Sequence, residues 1–444
     1  MVTWIKDPAV VWTGNKERAS RGVLVSGGRI LELVDEFPRV EYDEVFDASG
    51  LVLIPGLINC HHHFYQTLTR ALPAALNKEL FPWLASLYPV WSKLTEESVR
   101  ASTRTAVCEL LLSGCTTTVD HHYVFSKALS RAIDVQAEEI KSLGIRAILT
   151  RGSMSLSEKN GGLPPSNVVQ TEGVILKDSE RLIDQWHDRS EGAMLQIALA
   201  PCSPFSVTEE LMSASAQLAR EKKVLLHTHL AETSDENSFC ENLYGCRPLD
   251  YLEKVGWLSS YVWLAHGIHF SSEEIQRLGR TKMGICHCPS SNMTLASGFC
   301  PVEELRAAGA PVGLGVDGSS SNDSSNLMQE LRQAYLLQRL RLGAEQFNHI
   351  DALELATTEG ARLLNRDDIG EIREGACADL ALFSTDELRF AGAHDPLAAL
   401  VLSGAHRAEA VMVNGEWKVR NGELVDVDLE EILESQKKAA AALV

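Results

Sequence analysis

The chain has 444 residues, with 41 Lys and Arg against 60 Asp and Glu, and so carries a formal net charge of −19. This acidic balance disfavours nucleic acid or an anionic membrane as the main partner. No apolar stretch reaches ~18 residues without a charge, so we expect no membrane-spanning helix. The N-terminus lacks the apolar core of a signal peptide, and the ten cysteines are scattered, which favours reduced thiols and a cytoplasmic location.

Both ends of the chain have the short apolar runs and turns of β structure. Gly22–Val25 and Arg29–Leu33 flank a Gly-Gly pair near the N-terminus. Near the other end, two strand-like runs flank Asn414-Gly415, a pair typical of a two-residue hairpin turn. We therefore predict one small β-sandwich-like domain drawn from both ends, at residues 1–54 and 366–425, with a C-terminal helix over 426–444.

Between these ends, strand-like and helical segments alternate. The pattern from Thr95 to Ser113 predicts a helix, because Thr95 is a good N-cap, acids fill the first turn and Gly114 follows the end. Eight strand candidates in about 300 residues predict an α/β fold, a (β/α)8 TIM-like barrel over residues 55–365. These strands are predicted to end near His61, His121, Arg151, Pro201, His229, His266, Cys288 and Asp317.

A long aromatic-rich segment, residues 72–94, follows the first predicted barrel strand. Such an excursion is typical of a lid over an active site, but equally of a surface that packs against another subunit. Large apolar surfaces usually find partners, so we expect a homo-oligomer. The sequence leaves the choice between lid and interface open.

Chemically active side chains recur at the predicted strand ends, where barrel enzymes place them. His61 and His63 alternate by one residue and so project to the same side of the first strand. A single histidine at a strand end is usually structural, but the recurrence of His and Asp at several strand ends predicts a metal site. We expect His61, His63, His229 and Asp317 to bind one divalent ion, with zinc favoured and iron or manganese as alternatives.

The remaining polar groups acquire roles around such an ion. A bound divalent metal lowers the pKa of water from ~15.7 toward ~7, which makes hydroxide available at neutral pH. Asp317 can take the proton of the attacking water. Glu232, three residues past His229, can move a proton to a substrate nitrogen. His266 can stabilise charge that develops during the reaction.

The motifs together resemble those of the amidohydrolase superfamily, in its mononuclear branch of deaminases and chlorohydrolases. The resemblance covers nearly the whole chain. Relatives with two metals carry a lysine at the end of strand four, whereas Leu195–Ser203 contains none, so the resemblance implies one metal. The motifs are the segment Pro55–His63, His229-x-x-Glu232, His266-Gly267, Cys286–Asn292, Asp317 and Glu374–Leu380.

Within this branch, residues 61–66, 151–155 and 161–165 resemble the 8-oxoguanine deaminases. The resemblance implies a hydrolase for C–N bonds that removes an exocyclic amine from a guanine-like base, converting 8-oxoguanine to urate and ammonia. Alternatives remain open. They are release of an alkylamine from hydroxylated s-triazines, deamination of guanine or an adenosine-type nucleoside, and, less closely, ring-opening amide hydrolysis.

Five side chains are candidates for contact with a small heteroaromatic base. Gln66, just past the predicted ligands, can hydrogen-bond a purine edge. Trp91 and Tyr123 can contact the ring, with core packing as the alternative for each. Cys202 and Ser203 close strand four and are expected at the same barrel mouth.

Further histidines have bland interpretations. His62 should point away from the metal, because adjacent strand residues face opposite sides. For the same reason at most one of His121 and His122 can face the barrel interior, where a supporting role is expected. His287, within strand seven, is expected to be structural.

Overall fold

The computed structural model describes residues 1–444, and a barrel of parallel strands forms its centre. Eight strands form one sheet in the order β15-β14-β13-β12-β11-β10-β9-β7. The strands of the chain are β1 Val2–Lys6, β2 Val10–Val11, β3 Gly22–Ser26, β4 Arg29–Leu33, β5 Glu44–Asp47, β6 Leu51–Pro55, β7 Leu57–Asn59, β8 His62–His63, β9 Cys115–His122, β10 Arg146–Ser153, β11 Leu195–Pro201, β12 Leu226–Leu230, β13 Val262–His266, β14 Gly284–His287, β15 Val312–Leu314, β16 Asp317–Gly318, β17 Leu380–Ser384, β18 Ala410–Val413, β19 Glu416–Arg420 and β20 Glu423–Leu424.

Helices follow most barrel strands and cover the outside of the barrel. They are α1 Leu80–Trp91, α2 Glu96–Leu112, α3 Ala132–Leu143, α4 Glu172–Trp186, α5 Glu209–Lys222, α6 Ser234–Tyr244, α7 Pro248–Lys254, α8 Ser272–Thr281, α9 Pro289–Thr294, α10 Val302–Ala308, α11 Leu327–Leu342, α12 His349–Leu355, α13 Thr358–Leu363, α14 Pro396–Ala399 and α15 Leu429–Ala441. Two 3₁₀ turns, Phe64–Thr69 and Glu158–Asn160, and a π-helical turn, Leu400–Gly404, complete the set. No helix combines the length and the apolar character needed to cross a bilayer.

The first and last barrel strands meet and close the barrel. The amide of Cys60 donates to the Leu314 carbonyl (2.9 Å), and that of Asp317 donates to the His61 carbonyl (3.1 Å). Beyond these bonds, β8 and β16 pair in parallel, with His62 opposite Asp317. The closure therefore brings the first histidine pair of the sequence beside its last strand-end carboxylate. The predicted (β/α)8 barrel is confirmed.

The barrel interior beneath this closure is filled by a second, smaller apolar cluster. It includes side chains from six barrel strands and from the segment 361–377 that packs below them. The cysteines in it are thiols, and all ten cysteines of the chain are free. This packing forms the floor beneath the groups at the barrel mouth. The cluster is Ile58, Cys60, Val119, Ile148, Ala198, Trp263, Cys286, Cys288, Ala361, Leu363, Leu364, Ile369 and Cys377.

Two antiparallel-rich sheets flank the barrel and draw strands from the chain ends. Their orders are β4-β3-β1-β5 and β2-β6-β17-β18-β19-β20. The hairpin of β18 and β19 turns at Asn414 (φ 49°) and Gly415 (φ 80°), as an Asn-Gly turn requires. Only Gly56 separates β6 from the first barrel strand, and a Cβ there would lie 2.2 Å from Thr116 Oγ1. The predicted domain bounds at residues 54, 365 and 425 stay a prediction.

Helix α2 has the ends that its sequence pattern predicts, and the C-terminal helix α15 lies within the predicted segment 426–444. Thr95 caps α2, with a capping box to Ser98, and Asp428 caps α15. Helix α15 packs on α2 and on the 3₁₀ turn after the first histidine pair, where Gln436 Nε2 donates to Thr67 Oγ1 (3.1 Å). The C-terminal helix therefore supports a segment that adjoins the site.

Candidate active site

Four donor atoms from three barrel strands converge at the closed mouth of the barrel. His63 Nε2 lies 3.2 Å from His229 Nε2 and 3.3 Å from Asp317 Oδ1, which lies 3.3 Å from His61 Nε2. Ligand atoms ~2.0–2.1 Å from a tetrahedral zinc ion stand ~3.3 Å apart, so the spacing fits one cation. His61 Nε2 is buried and has no hydrogen-bond partner. The fold therefore carries a site for a divalent metal ion.

The hydrogen bonds of the ring Nδ1 atoms orient all three imidazoles. His63 Nδ1 donates to the His121 carbonyl (2.6 Å), and His229 Nδ1 donates to the Cys202 carbonyl (2.7 Å). A carbonyl oxygen can only accept, so each Nδ1 carries the proton and each Nε2 keeps its lone pair. His61 Nδ1 lies 2.7 Å from His227 Nε2. All three Nε2 atoms are thus available as metal ligands.

Left-handed backbone places three of the strand-end groups. His266 has φ 73°, Asp317 has φ 60°, and Ala231, just before Glu232, has φ 53°. Non-glycine residues adopt this region at a cost that the surrounding structure must bear, and such residues cluster at functional sites. Here the reversal turns each strand end so that its side chain points into the mouth.

Glu232 and His266 face each other beside the donor cluster. His266 Nε2 lies 3.5 Å from Glu232 Oε2 and 3.8 Å from Asp317 Oδ2. Burial, reinforced by the nearby Asp317 charge, raises the pKa of Glu232 well above its ordinary value. Burial acts in the same direction on Asp317, but His61 and His63 outweigh it and hold the pKa of Asp317 well below its usual range. The pKa values of the two carboxyls are therefore shifted in opposite directions.

One cavity, of about 360 Å³ of empty space, opens onto these groups. Of the predicted substrate contacts, Gln66, Tyr123 and Cys202 line it. Six lining residues were not predicted, and most are apolar. Three of them come from helix α1, so the excursion at 72–94 forms part of the cavity wall. The six are Leu80, Trp83, Leu84, Phe205, Leu295 and Ser321.

Trp91 and Ser203 are buried but do not line the cavity. The Trp91 indole N–H donates to Thr69 Oγ1 (3.1 Å), so this ring packs behind the 3₁₀ turn. Ser203 Oγ lies 2.7 Å from Ser206 Oγ within the loop after strand β11. The structure thus gives both side chains contacts elsewhere and does not bring them to the cavity.

Two side chains that contact predicted site residues were not predicted from the sequence. His227 contacts His61, and Asn292 Oδ1 accepts from His266 Nδ1 (2.9 Å), which directs His266 Nε2 toward the carboxylates. The spacing of His227 and His229 repeats that of His61 and His63, and it was the available signal for His227. Asn292 ends the Cys286–Asn292 motif, but nothing in its sequence context indicates which side chain it meets.

The other histidines divide as adjacent strand residues must. His121 lies against the ligand cluster, with its ring stacked on that of His229 (4.8 Å), and its Nε2 donates to the Ala200 carbonyl. His122 faces away and bonds the Val124 carbonyl (2.8 Å). His62 also points away, with Nε2 2.9 Å from Ser325 Oγ. Both nitrogens of buried His287 lack partners.

The barrel, together with the histidine pair of strand one and the aspartate of strand eight, is typical of one class of protein, the metal-dependent hydrolases. Residues 52–418 match the model of the "Amidohydrolase family". The chain belongs to the amidohydrolase family.

Relatives that match over almost their whole length show which members of the family this chain resembles. The chain is 58% identical to an 8-oxoguanine deaminase of Pseudomonas aeruginosa over 100% of this chain and 99% of the relative. It is 35% identical to a hydroxydechloroatrazine ethylaminohydrolase of Pseudomonas sp. strain ADP, over 92% and 88% of the two chains. Among solved structures, a zinc complex of atrazine chlorohydrolase from Arthrobacter aurescens TC1 superposes with a TM-score of 0.92 at 31% identity, covering 99% of each chain.

Proposed function

We propose that this protein is an 8-oxoguanine deaminase, which converts 8-oxoguanine and water to urate and ammonia. The observation that carries the proposal is the 58% identity, over the entire chain, to an 8-oxoguanine deaminase. The geometry of the mouth supports it, because a metal site and two buried carboxyls, whose pKa values are shifted in opposite directions, adjoin one small, largely apolar cavity. These groups are what hydrolysis at an amine-bearing ring carbon requires.

In this proposal His61, His63, His229 and Asp317 hold a single zinc ion. Nitrogen and oxygen donors at near-tetrahedral spacing suit zinc. The zinc complex of the chlorohydrolase, at 31% identity, supports the same choice. When bound, such an ion makes water acidic and nucleophilic at neutral pH.

Glu232 and Asp317 move the protons. Asp317, ionised, accepts a proton from the attacking water, whose oxygen bonds to the ring carbon that bears the amine. Glu232, whose pKa is raised by burial, donates a proton to the ring nitrogen beside that carbon. The amine then takes the proton that Asp317 accepted, the C–N bond breaks and ammonia leaves. The hydroxyl on the ring carbon returns its remaining proton to Glu232 as the C=O bond of the product forms. His266 lies within 4 Å of both carboxyls, so it stabilises the charge that develops between them.

The cavity wall recognises the base. Gln66 Oε1 accepts from the Ser320 amide (3.3 Å), and this bond leaves the Gln66 NH₂ group to donate into the cavity. A carbonyl oxygen of an oxidised purine is a suitable acceptor. Trp83 and Phe205 supply flat apolar surface, and their burial excludes water from the reacting groups.

Turnover assays test the proposal directly. Purified protein loaded with zinc is incubated with 8-oxoguanine, guanine, adenosine and an N-ethylamino hydroxytriazine, and ammonia or ethylamine release is measured. We expect the highest kcat/KM for 8-oxoguanine. The triazine is the main competitor, because a 35% identical relative is an ethylaminohydrolase. If ethylamine release from the triazine is preferred, the proposed substrate becomes the triazine instead of 8-oxoguanine. If no compound releases ammonia or ethylamine, the deaminase assignment is overturned.

A further inference from the structure

We propose that His227 is a positioning residue for the metal, which it holds in place through His61. The inference rests on the proposed metal site and is independent of the identity of the substrate. His227 is fully buried on strand β12, two residues before the ligand His229, and does not line the cavity. It touches no reacting group, so its effect must pass through the neighbouring imidazole.

The hydrogen-bond chain through His227 has one consistent assignment of protons. His227 Nδ1 lies 2.9 Å from the Trp263 carbonyl oxygen, which can only accept, so this Nδ1 carries a proton. In neutral His227, Nε2 is then an acceptor, and it lies 2.7 Å from His61 Nδ1. His61 Nδ1 therefore carries the donated proton. The lone pair of His61 is left on Nε2, the atom that faces Asp317 and the other ligands.

The same chain closes into a loop around His61. The rings of His227 and Trp263 stack in parallel, 4.3 Å apart with an interplanar angle of 14°. The Trp263 indole N–H donates to the carbonyl of Cys60, the residue just before His61 (3.1 Å). Trp263 therefore fixes the backbone of the ligand directly and its ring through His227.

His61 differs from the other two imidazole ligands in this dependence. His63 and His229 donate to backbone carbonyls, which no substitution removes, whereas His61 donates to a side chain. A change at position 227 can therefore free one ligand ring while the other two stay oriented. Loss of such a partner typically weakens metal affinity ~10–100-fold.

Two substitutions separate the hydrogen bond from the shape of the ring. His227→Phe keeps a flat ring against Trp263 but offers no acceptor, and we expect a 10–100-fold rise in the zinc dissociation constant. His227→Gln offers Oε1 as an acceptor for the His61 Nδ1 proton, and we expect it to restore most of the affinity. His287→Phe is the matched control, because His287 is also fully buried on a barrel strand but makes no hydrogen bond.

The main readout is zinc affinity, measured on the full chain by competition with a chromophoric chelator and without substrate. The order wild type, His227→Gln, then His227→Phe supports the proposal. Equal affinities of His227→Phe and wild type, or an equal loss in His287→Phe, would overturn it. Because no substrate is present, this result stands even if the deaminase assignment fails. At saturating zinc, we expect the kcat of His227→Phe to lie closer to the wild-type value than its zinc affinity does.

A measurement on the wild-type protein covers the case in which His227→Phe does not fold. Imidazole ¹⁵N spectra of the zinc-loaded chain should show a protonated His61 Nδ1 with a coupling across the hydrogen bond to His227 Nε2. An unprotonated His61 Nδ1 would contradict the assigned proton chain.

Discussion

Glu232 and Glu236 are two buried carboxyls one helical turn apart with different tasks. Burial raises the pKa of Glu236 to about 8, and its Oε2 accepts from the Glu232 amide (3.0 Å). Glu236 thus holds the backbone at Glu232 by this hydrogen bond. Only Glu232 lines the cavity. Both carboxyls have a raised pKa, but only Glu232 is placed to reach a substrate in the cavity.

Glu232→Gln should therefore keep the fold and the metal but lower kcat by about 10²–10⁴-fold, because an amide cannot donate the proton. Steady-state kinetics together with metal analysis measure this. Glu236→Gln is the matched control, since its amide oxygen still accepts the Glu232 N–H, and its kcat should stay close to that of the wild type. A near-wild-type kcat for Glu232→Gln would falsify the proton-transfer role.

At the scale of elements, helix α1 shows that part of the aromatic-rich segment 72–94 borders the active-site cavity. Leu80, Trp83 and Leu84 line the cavity, and Trp83 Nε1 donates to the Ser320 carbonyl (3.3 Å) in the loop after strand β16. The helix is therefore a wall of the site, tied to the segment that follows Asp317. The alternative role of residues 72–94 as a subunit interface stays open, and the expected homo-oligomer stays a prediction.

Leu84→Ala should lower kcat/KM about 10- to 200-fold, because it removes apolar contact with the bound base. The effect should appear mainly in KM. Leu87→Ala is a matched control on the same helix, since Leu87 is fully buried and does not line the cavity. It should cost about 2–5 kcal/mol of stability but leave KM unchanged. A similar KM rise in both variants would mean that α1 acts through its packing alone.

Helix α11 contributes a pH-dependent contact to the turn after strand seven. Glu330 accepts from the Ser290 amide (3.1 Å) and from Asn322, and burial raises its pKa to about 7 from 4.5. The folded state thus keeps this proton to higher pH than the unfolded chain. Its contribution to stability is full below about pH 4.5 and is lost as the pH rises toward 7.

We expect the free energy of unfolding to fall by about 3 kcal/mol from this group between pH 4.5 and 8. Denaturant unfolding at several pH values, with metal held constant, measures the slope. Glu330→Gln cannot titrate and should show a shallower slope than the wild type. Equal slopes in the two proteins would show that Glu330 does not cause the pH dependence of stability.

At the scale of the whole molecule, metal content follows from the arrangement of strands. Strand β11, Leu195–Pro201, carries no lysine, and the donor cluster has room for one ion at tetrahedral spacing. We predict about one equivalent of metal per chain by elemental analysis. Removal by a chelator should lower the unfolding temperature, because a ligand at 100 times its Kd stabilises the folded state by about 2.7 kcal/mol. Two equivalents would contradict the single-metal site.

Much of the architecture could be predicted because its signals are local. Apolar runs marked all eight barrel strands, whose ends lie within about three residues of the predicted positions, and the cap of α2 lies at Thr95 as predicted. The first histidine pair was recognisable because i and i+2 share a face of a strand. Hydrogen-bond partners distant in sequence, such as His61 with His227 and His266 with Asn292, have no local signal.

The amino-acid sequence by itself determined the barrel and indicated a metal site at its strand ends, since periodicity, turn residues and ligand chemistry are all carried by short segments. The class of reaction followed from the resemblance of these motifs to those of a known family. The tertiary structure alone decided which side chains line the cavity. It excluded Trp91 and Ser203, added helix α1 and showed what orients His61. The reason is physical: barrel closure brings residues from opposite ends of the chain within hydrogen-bond range, and their side-chain directions depend on that packing.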